Sequence, residues 1–112
     1  WKSNMKCNIF GKIALSETMG YVPTLIGRLY GVDLNTGSIK WSLATDGYNN
    51  HHLEYFKSDD TFRNDIVQVI TSNEDFLVAQ RKFGAIYSSP AATKDYLIFS
   101  SNDGTVYCLK RK

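Results

Sequence analysis

The sequence predicts an all-β fold of about two four-stranded antiparallel units with a helical insertion between them. Three observations carry the prediction. Residues 29–41 read as a β-hairpin that ends in Trp41, residues 104–109 partly echo them, and residues 46–83 change both charge sign and hydrophobic period.

Composition bounds the rest. At 112 residues the chain suffices for one modest core. With 43% hydrophobic and 21% charged residues it is neither a disordered tail nor a membrane span. No apolar run approaches the ~18 residues of a transmembrane helix, so direct membrane insertion is not expected. A net charge of +2, without a concentrated basic stripe, argues against nucleic acid as partner. Cys7 and Cys108 belong to no zinc or redox spacing, and free, partly buried thiols are preferred over a bridge.

The elements follow in order. Residues 1–10 alternate loosely after Trp1. Residues 11–16 and 21–26 are strand-like, with a break at Met19-Gly20, and Pro23 marks the second as an edge, bulged or irregular strand. In the hairpin, Asn35-Thr36-Gly37 is a short polar connection with glycine where a left-handed residue is needed. Asp33 can accept hydrogen bonds from the turn N–H groups. Alternation places Ile39, Trp41 and Leu43 on one face, and Gly31 makes room for a ring.

Residues 46–50 are turn-rich. Residues 58–70 read as an amphipathic helix, with Ser58 or Asp59 as cap and Phe62, Ile66, Val69 and Ile70 on its apolar side. Residues 73–80 read either as a short helix capped by Ser72 or as a run into a strand, the helical start being preferred. The insertion holds 7 of the 11 acidic and 4 of the 13 basic residues, a net −3 against +5 for the remainder. Strand patterns return at 84–92, 95–101 and 105–109, with Asn102-Asp103-Gly104 as a hairpin turn.

Residues 11–41 and 84–112 therefore align as two versions of one unit, and four-stranded repeats of about 40 residues suggest propeller blades. The details resemble the repeats of quinoprotein (PQQ-like) β-propellers, whose tryptophan-docking motif runs Ala-x-Asp-x-x-x-Gly-Lys-x-x-Trp. Gly31, Asp33, Gly37 and Trp41 stand at that spacing, with Gly31 for Ala and Ser38 for Lys. Ser88-Ser89-Pro90 and residues 100–107 are similar to further segments of the family. The resemblance covers roughly two thirds of the chain.

It implies a partial β-propeller. Residues 1–45 would supply an outer strand of a preceding blade plus one full blade, 46–83 the insertion, and 84–112 three strands of a further blade. That blade lacks its outer strand unless residues 1–6 supply it. Trp41 would stack between blades, and Trp1, with no initiator Met, would belong to the preceding blade of a longer protein. The implied function is a non-catalytic scaffold or protein-interaction segment of a larger bacterial protein, in the periplasm or cell envelope. Its partners would be the remaining blades or self-association, with a protein partner engaging insertion 46–83. Two alternatives are a remnant of a PQQ-dependent dehydrogenase and a small-molecule-sensing propeller attached to a catalytic, kinase-like domain.

Candidate chemistry is sparse. His51, His52 and Glu54 are the only cluster of metal-ligand types, but adjacent histidines point apart on an extended chain, so a solvated loop is preferred. The pairs Asp59-Asp60 and Glu74-Asp75 sit where helix N-termini favour carboxylates. Ser88-Ser89 lacks a nucleophile-elbow context. The vicinal cysteine pair and Ca²⁺ ligand set of quinone-dependent relatives have no counterpart, so no cofactor and no catalytic residue is expected.

Overall fold

The computed structural model describes residues 1–111. Two antiparallel sheets face each other. The first has the order β1 (Ala14–Ser16), β2 (Met19–Pro23), β3 (Arg28–Asp33), β4 (Ile39–Ala44). The second has β5 (Ala91–Ala92), β6 (Tyr96–Ser100) and β7 (Val106–Lys110). Between them run α1 (Asp46–His51), a 3₁₀ turn (His52–Glu54), α2 (Ile66–Val69) and α3 (Asn73–Lys82). The all-β class and the four-plus-three strand count match expectation.

The opening hairpin closes as its residues dictate. The Asp33 carboxylate accepts from Asn35 N (2.7 Å) and Thr36 N (3.2 Å), while Gly37 N donates to Asp33 O at 2.8 Å. Gly37 takes φ +76°, a conformation that glycine adopts without penalty. A register shift after the turn pairs Val32 with Ile39 but Gly31 with Trp41. Trp41 and Leu43 thus share a face, whereas Ile39 moves to the Val32 side, because one extra residue reverses the alternation.

Several local expectations are corrected. Residues 58–70 do not form one helix. Phe56 and Phe62 pair as an isolated bridge, their rings stacked at 5.1 Å, around a tight turn in which Lys57 N donates to Thr61 O. The Asp59 carboxylate accepts from Thr61 N and Oγ1, so these side chains compete with helical bonding and only Ile66–Val69 stays helical. Residues 46–50, expected as turns, form α1, with Thr45 Oγ1 accepting from Tyr48 N at 3.2 Å. The strand expected at 84–92 shrinks to Ala91–Ala92, because Ala85 and Ile86 are buried and bond to Gln80 and Thr24 carbonyls instead. β2 is an interior strand, and Pro23 is tolerated at its last position. Its start at Met19 shifts the break to Glu17-Thr18. The Ser72 cap holds: its hydroxyl accepts from Asp75 N (3.1 Å), and Asp75 in turn accepts from Thr71 N.

Two clusters stabilise this arrangement. Tyr21, Leu29, Ile86, Leu97 and Phe99 fill the space between the sheets. Ile26, Tyr55, Phe56, Ala79, Phe83 and Ala85 form a second core beneath the insertion. The insertion is therefore packed on the sheets by its own apolar residues.

Candidate interaction surface

The residues singled out by the hairpin occupy two ring-on-glycine contacts. The Trp1 indole lies over the Gly37 turn, where a Cβ would come within 2.4 Å of the ring, and its Nε1 donates to Leu34 O at 2.8 Å. Trp41 covers Gly31, where a Cβ would meet its indole at 2.5 Å, and tilts against Tyr21 at 5.8 Å between centroids. Both glycines are small because a flat ring needs close approach to backbone. Residues 1–6 carry no strand and do not lie along β7.

His51, His52 and Glu54 diverge. His51 Nδ1 lies 2.5 Å from Glu54 Oε2, and that contact, aided by Lys82 at 3.4 Å, lowers the Glu54 pKa. His52 turns away to stack on Tyr48 at 4.3 Å, with its Nδ1 on the Tyr48 carbonyl. Among the described residues no three His, Cys, Asp or Glu side chains converge as a metal ion would require. Cys7 and Cys108 are free thiols; Cys7 is half-buried as expected, but Cys108 is exposed, because its position in β7 faces away from the core that Tyr107 and Leu109 join.

A group invisible in the sequence fastens the insertion to the first sheet. Arg28 Nε donates to Asp60 at 3.0 Å, its NH2 to Tyr48 Oη at 3.0 Å, and its guanidinium lies 4.4 Å over the Tyr48 ring. The Tyr48 hydroxyl also bonds Asp60. Burial first, then the adjacent Asp60 carboxylate, pushes the Tyr48 phenol up to about 12. Asp60 holds a left-handed φ of +65°, which Asp tolerates better than most residues. No short-range signal links Arg28 with a carboxylate 32 positions away, and the sequence pattern assigns Asp60 only to a helix N-terminus.

Asp103 does the same for the second sheet. It accepts from Gly47 N (3.1 Å), Thr105 N (3.0 Å) and the Ser101 hydroxyl, while Tyr107 Oη accepts from Asp46 N at 2.8 Å. Burial opposes the charge, yet these hydrogen bonds outweigh it and leave the carboxyl below its ordinary 3.8. Folding thus favours the ionised form. Its contribution is complete above the unfolded value and fades as pH falls through the lower folded value. We expect the denaturation midpoint to drop in acid, and Asp103→Asn to flatten that part of the pH profile; an unchanged slope would remove Asp103 from the acid response.

The fold is that of part of a β-propeller. It is similar to the crystal structure of BamB from Moraxella catarrhalis, with a TM-score of 0.60 at 15% identity. The likeness covers 98% of this chain and 23% of that one, so the chain spans about a quarter of the protein it resembles. No protein-family model matches the sequence, and no curated protein matches it. Among the described residues no helix is long and apolar enough to cross a membrane.

Proposed function

We propose that this chain is a non-catalytic segment of a quinoprotein-like β-propeller, serving a larger bacterial protein of the cell envelope as scaffold and protein-interaction module. The observation that carries the reading is the insertion, which is clamped to both sheets while displaying apolar side chains. Val67 is 74% exposed, Leu53 61% and Leu77 56%, although the Arg28–Asp60 pair and the Phe83 cluster hold the segment in place. A rigid element that leaves apolar groups in water is suited to a protein partner.

In this reading Gly31, Asp33, Gly37 and Trp41 hold adjoining blades in register. The Trp1 ring on the Gly37 turn supports it, while Trp41 covers Gly31 within its own sheet and reaches the other sheet only through the recess it shares with Leu97 and Leu109. Trp41 retains 38% exposure. Trp41→Ala is therefore expected to destabilise by roughly 2 kcal/mol in denaturant titration, less than the 3–5 of a fully buried aromatic. A loss under about 0.5 kcal/mol would leave it no holding role.

A photo-crosslinking amino acid at Val67 tests the interaction reading in the cell envelope of the source bacterium. A discrete adduct from position 67, absent when the probe replaces Lys94, is expected. Equal labelling from both positions would remove the insertion as the partner-specific element. Purified full-length protein with PQQ and Ca²⁺ should show no dye-linked dehydrogenase activity; saturable turnover would overturn the non-catalytic reading.

A further inference from the structure

A recess of about 440 Å³ opens beside the insertion, and no residue of β1–β7 lines it. It is therefore not a place in either sheet that a further strand would fill. Its walls come from four stretches of the chain. Segment 6–8 forms one side, tied to the loop after β2 by Leu25 N donating to Asn8 O at 2.9 Å. The bridged turn around Phe56 and Phe62, the α3 helix, and Tyr87 beyond it form the others.

The surface of this recess is aromatic. Phe62 and Phe76 keep 48% and 39% exposure, while the buried Phe56 and Phe83 close the base with their rings edge-on at 5.0 Å. Against those rings stands one polar group with a vacant hydrogen bond. Gln80 is 3% exposed, and its carboxamide Oε1 accepts from the Tyr87 hydroxyl. Its Nε2 donates to no group among the described residues, yet no side-chain nitrogen or oxygen there is both sealed from solvent and unpaired. The free N–H therefore opens to the recess that Gln80 lines. A buried amide donor without an acceptor is costly, and a ligand oxygen would satisfy it.

We infer that this recess is a small-molecule site, taking a neutral aromatic compound of one or two rings whose carbonyl oxygen accepts from Gln80 Nε2. Its volume lies within the range of ligand pockets, and mostly apolar walls with a few convergent polar groups are how such pockets are built. A ring entering it repeats the edge and face contacts that Phe56 already makes with Phe62 and Phe83. Charge favours a neutral occupant. Of the two charged lining residues, Asp60 is already paired with Arg28 at 3.0 Å, and Lys6 is exposed to solvent. An ion taken from water without a counter-charge is strongly disfavoured. Val67 does not line the recess, and the inference is independent of the scaffold reading.

The test is ¹⁵N–¹H correlation NMR of the whole chain titrated with acetophenone. Two comparison compounds are ethylbenzene, which lacks the oxygen, and cyclohexyl methyl ketone, which lacks the aromatic ring. Acetophenone should saturate at millimolar concentration, in keeping with so small a probe, and move the Gln80 side-chain N–H₂ signal and the backbone amides of Phe62 and Phe76. Each comparison compound should bind at least about threefold more weakly. Phe76→Ala, at an exposed position, should weaken acetophenone similarly, with circular dichroism checking its fold. No saturation, or shifts gathered around Trp41 and Leu97 instead, overturns the inference. So does equal binding of ethylbenzene, which would mean that the amide is not used, or of the aliphatic ketone, which would mean that the rings are not. A blocked tripeptide with a central Tyr that binds more tightly than acetophenone would assign the recess to a partner's side chain and overturn it as well. If acetophenone fails while the Val67 adduct persists, the interaction module stands and only the ligand site falls.

Discussion

Phe83→Ala is expected to destabilise the protein by about 3–5 kcal/mol, the range for truncating a fully buried aromatic. Phe83 is 2% exposed at the end of α3, and its ring meets Tyr55 edge-on at 5.6 Å and Phe56 at 5.0 Å. Those contacts place it at the centre of the core beneath the insertion, where Ile26 from the loop after β2 joins Ala79 from α3. The neighbours are held by several separate segments, so the cavity cannot collapse without moving all of them. The Phe83 carbonyl also accepts from the Thr45 hydroxyl at 3.4 Å, so disorder at this point would reach the α1 cap. Denaturant titration checks the magnitude. A loss under about 1 kcal/mol would mean that the insertion core contributes little to holding the sheets together.

The sequence discloses the sheets better than the segment between them, for a physical reason. The alternation of β6 and β7, the Asp33–Gly37 turn and the Asn102–Gly104 turn are local signals, and each appears in the structure where its residues stand. Residues 84–92, by contrast, keep only Ala91–Ala92 as strand, because the carbonyls of Gln80 and Thr24 take the N–H groups of Ala85 and Ile86. The insertion is decided by contacts distant in sequence. Phe62 fits the apolar side of a helix over 58–70, yet its ring finds Phe56 across a turn that Asp59 and Thr61 close. The clamp of Arg28, Tyr48 and Asp60 likewise joins three segments that carry no shared pattern. Asp103 reads from sequence as a turn residue only. Its bond to Gly47 N depends on how the two sheets meet. Ile39 is a subtler case: the alternation holds for Trp41 and Leu43 but breaks at the bulge, which no residue preference near Lys40 announces.

Those same long-range contacts make Gly27 the backbone position with the least freedom, and Gly27→Ala should have the largest effect of any single methyl added to the chain. Gly27 has φ +92°, and a Cβ there would lie 2.1 Å from the Phe83 carbonyl oxygen, 3.0 Å from Thr45 Oγ1 and 3.1 Å from Tyr48 Cβ. The carbonyl is backbone, and it cannot swing aside as a flexible side chain would. Gly27 O itself accepts from Thr45 N at 2.9 Å, so moving Gly27 instead would release the start of α1. The dihedral cost alone is about 1–2 kcal/mol, and the overlap should raise the total to about 4 kcal/mol or more, a substantial share of the 5–15 available to a typical domain. Gly104→Ala isolates the first part, because Gly104 has a similar φ of +89° but nothing within 4 Å of an added Cβ. Denaturant midpoints of the two variants should differ by at least about 2 kcal/mol, with Gly27→Ala the less stable or unfolded. If both lose the same amount, the junction of the first sheet with α1 and α3 is loose enough to admit a methyl, and the close packing of the insertion on the propeller strands would have to be abandoned.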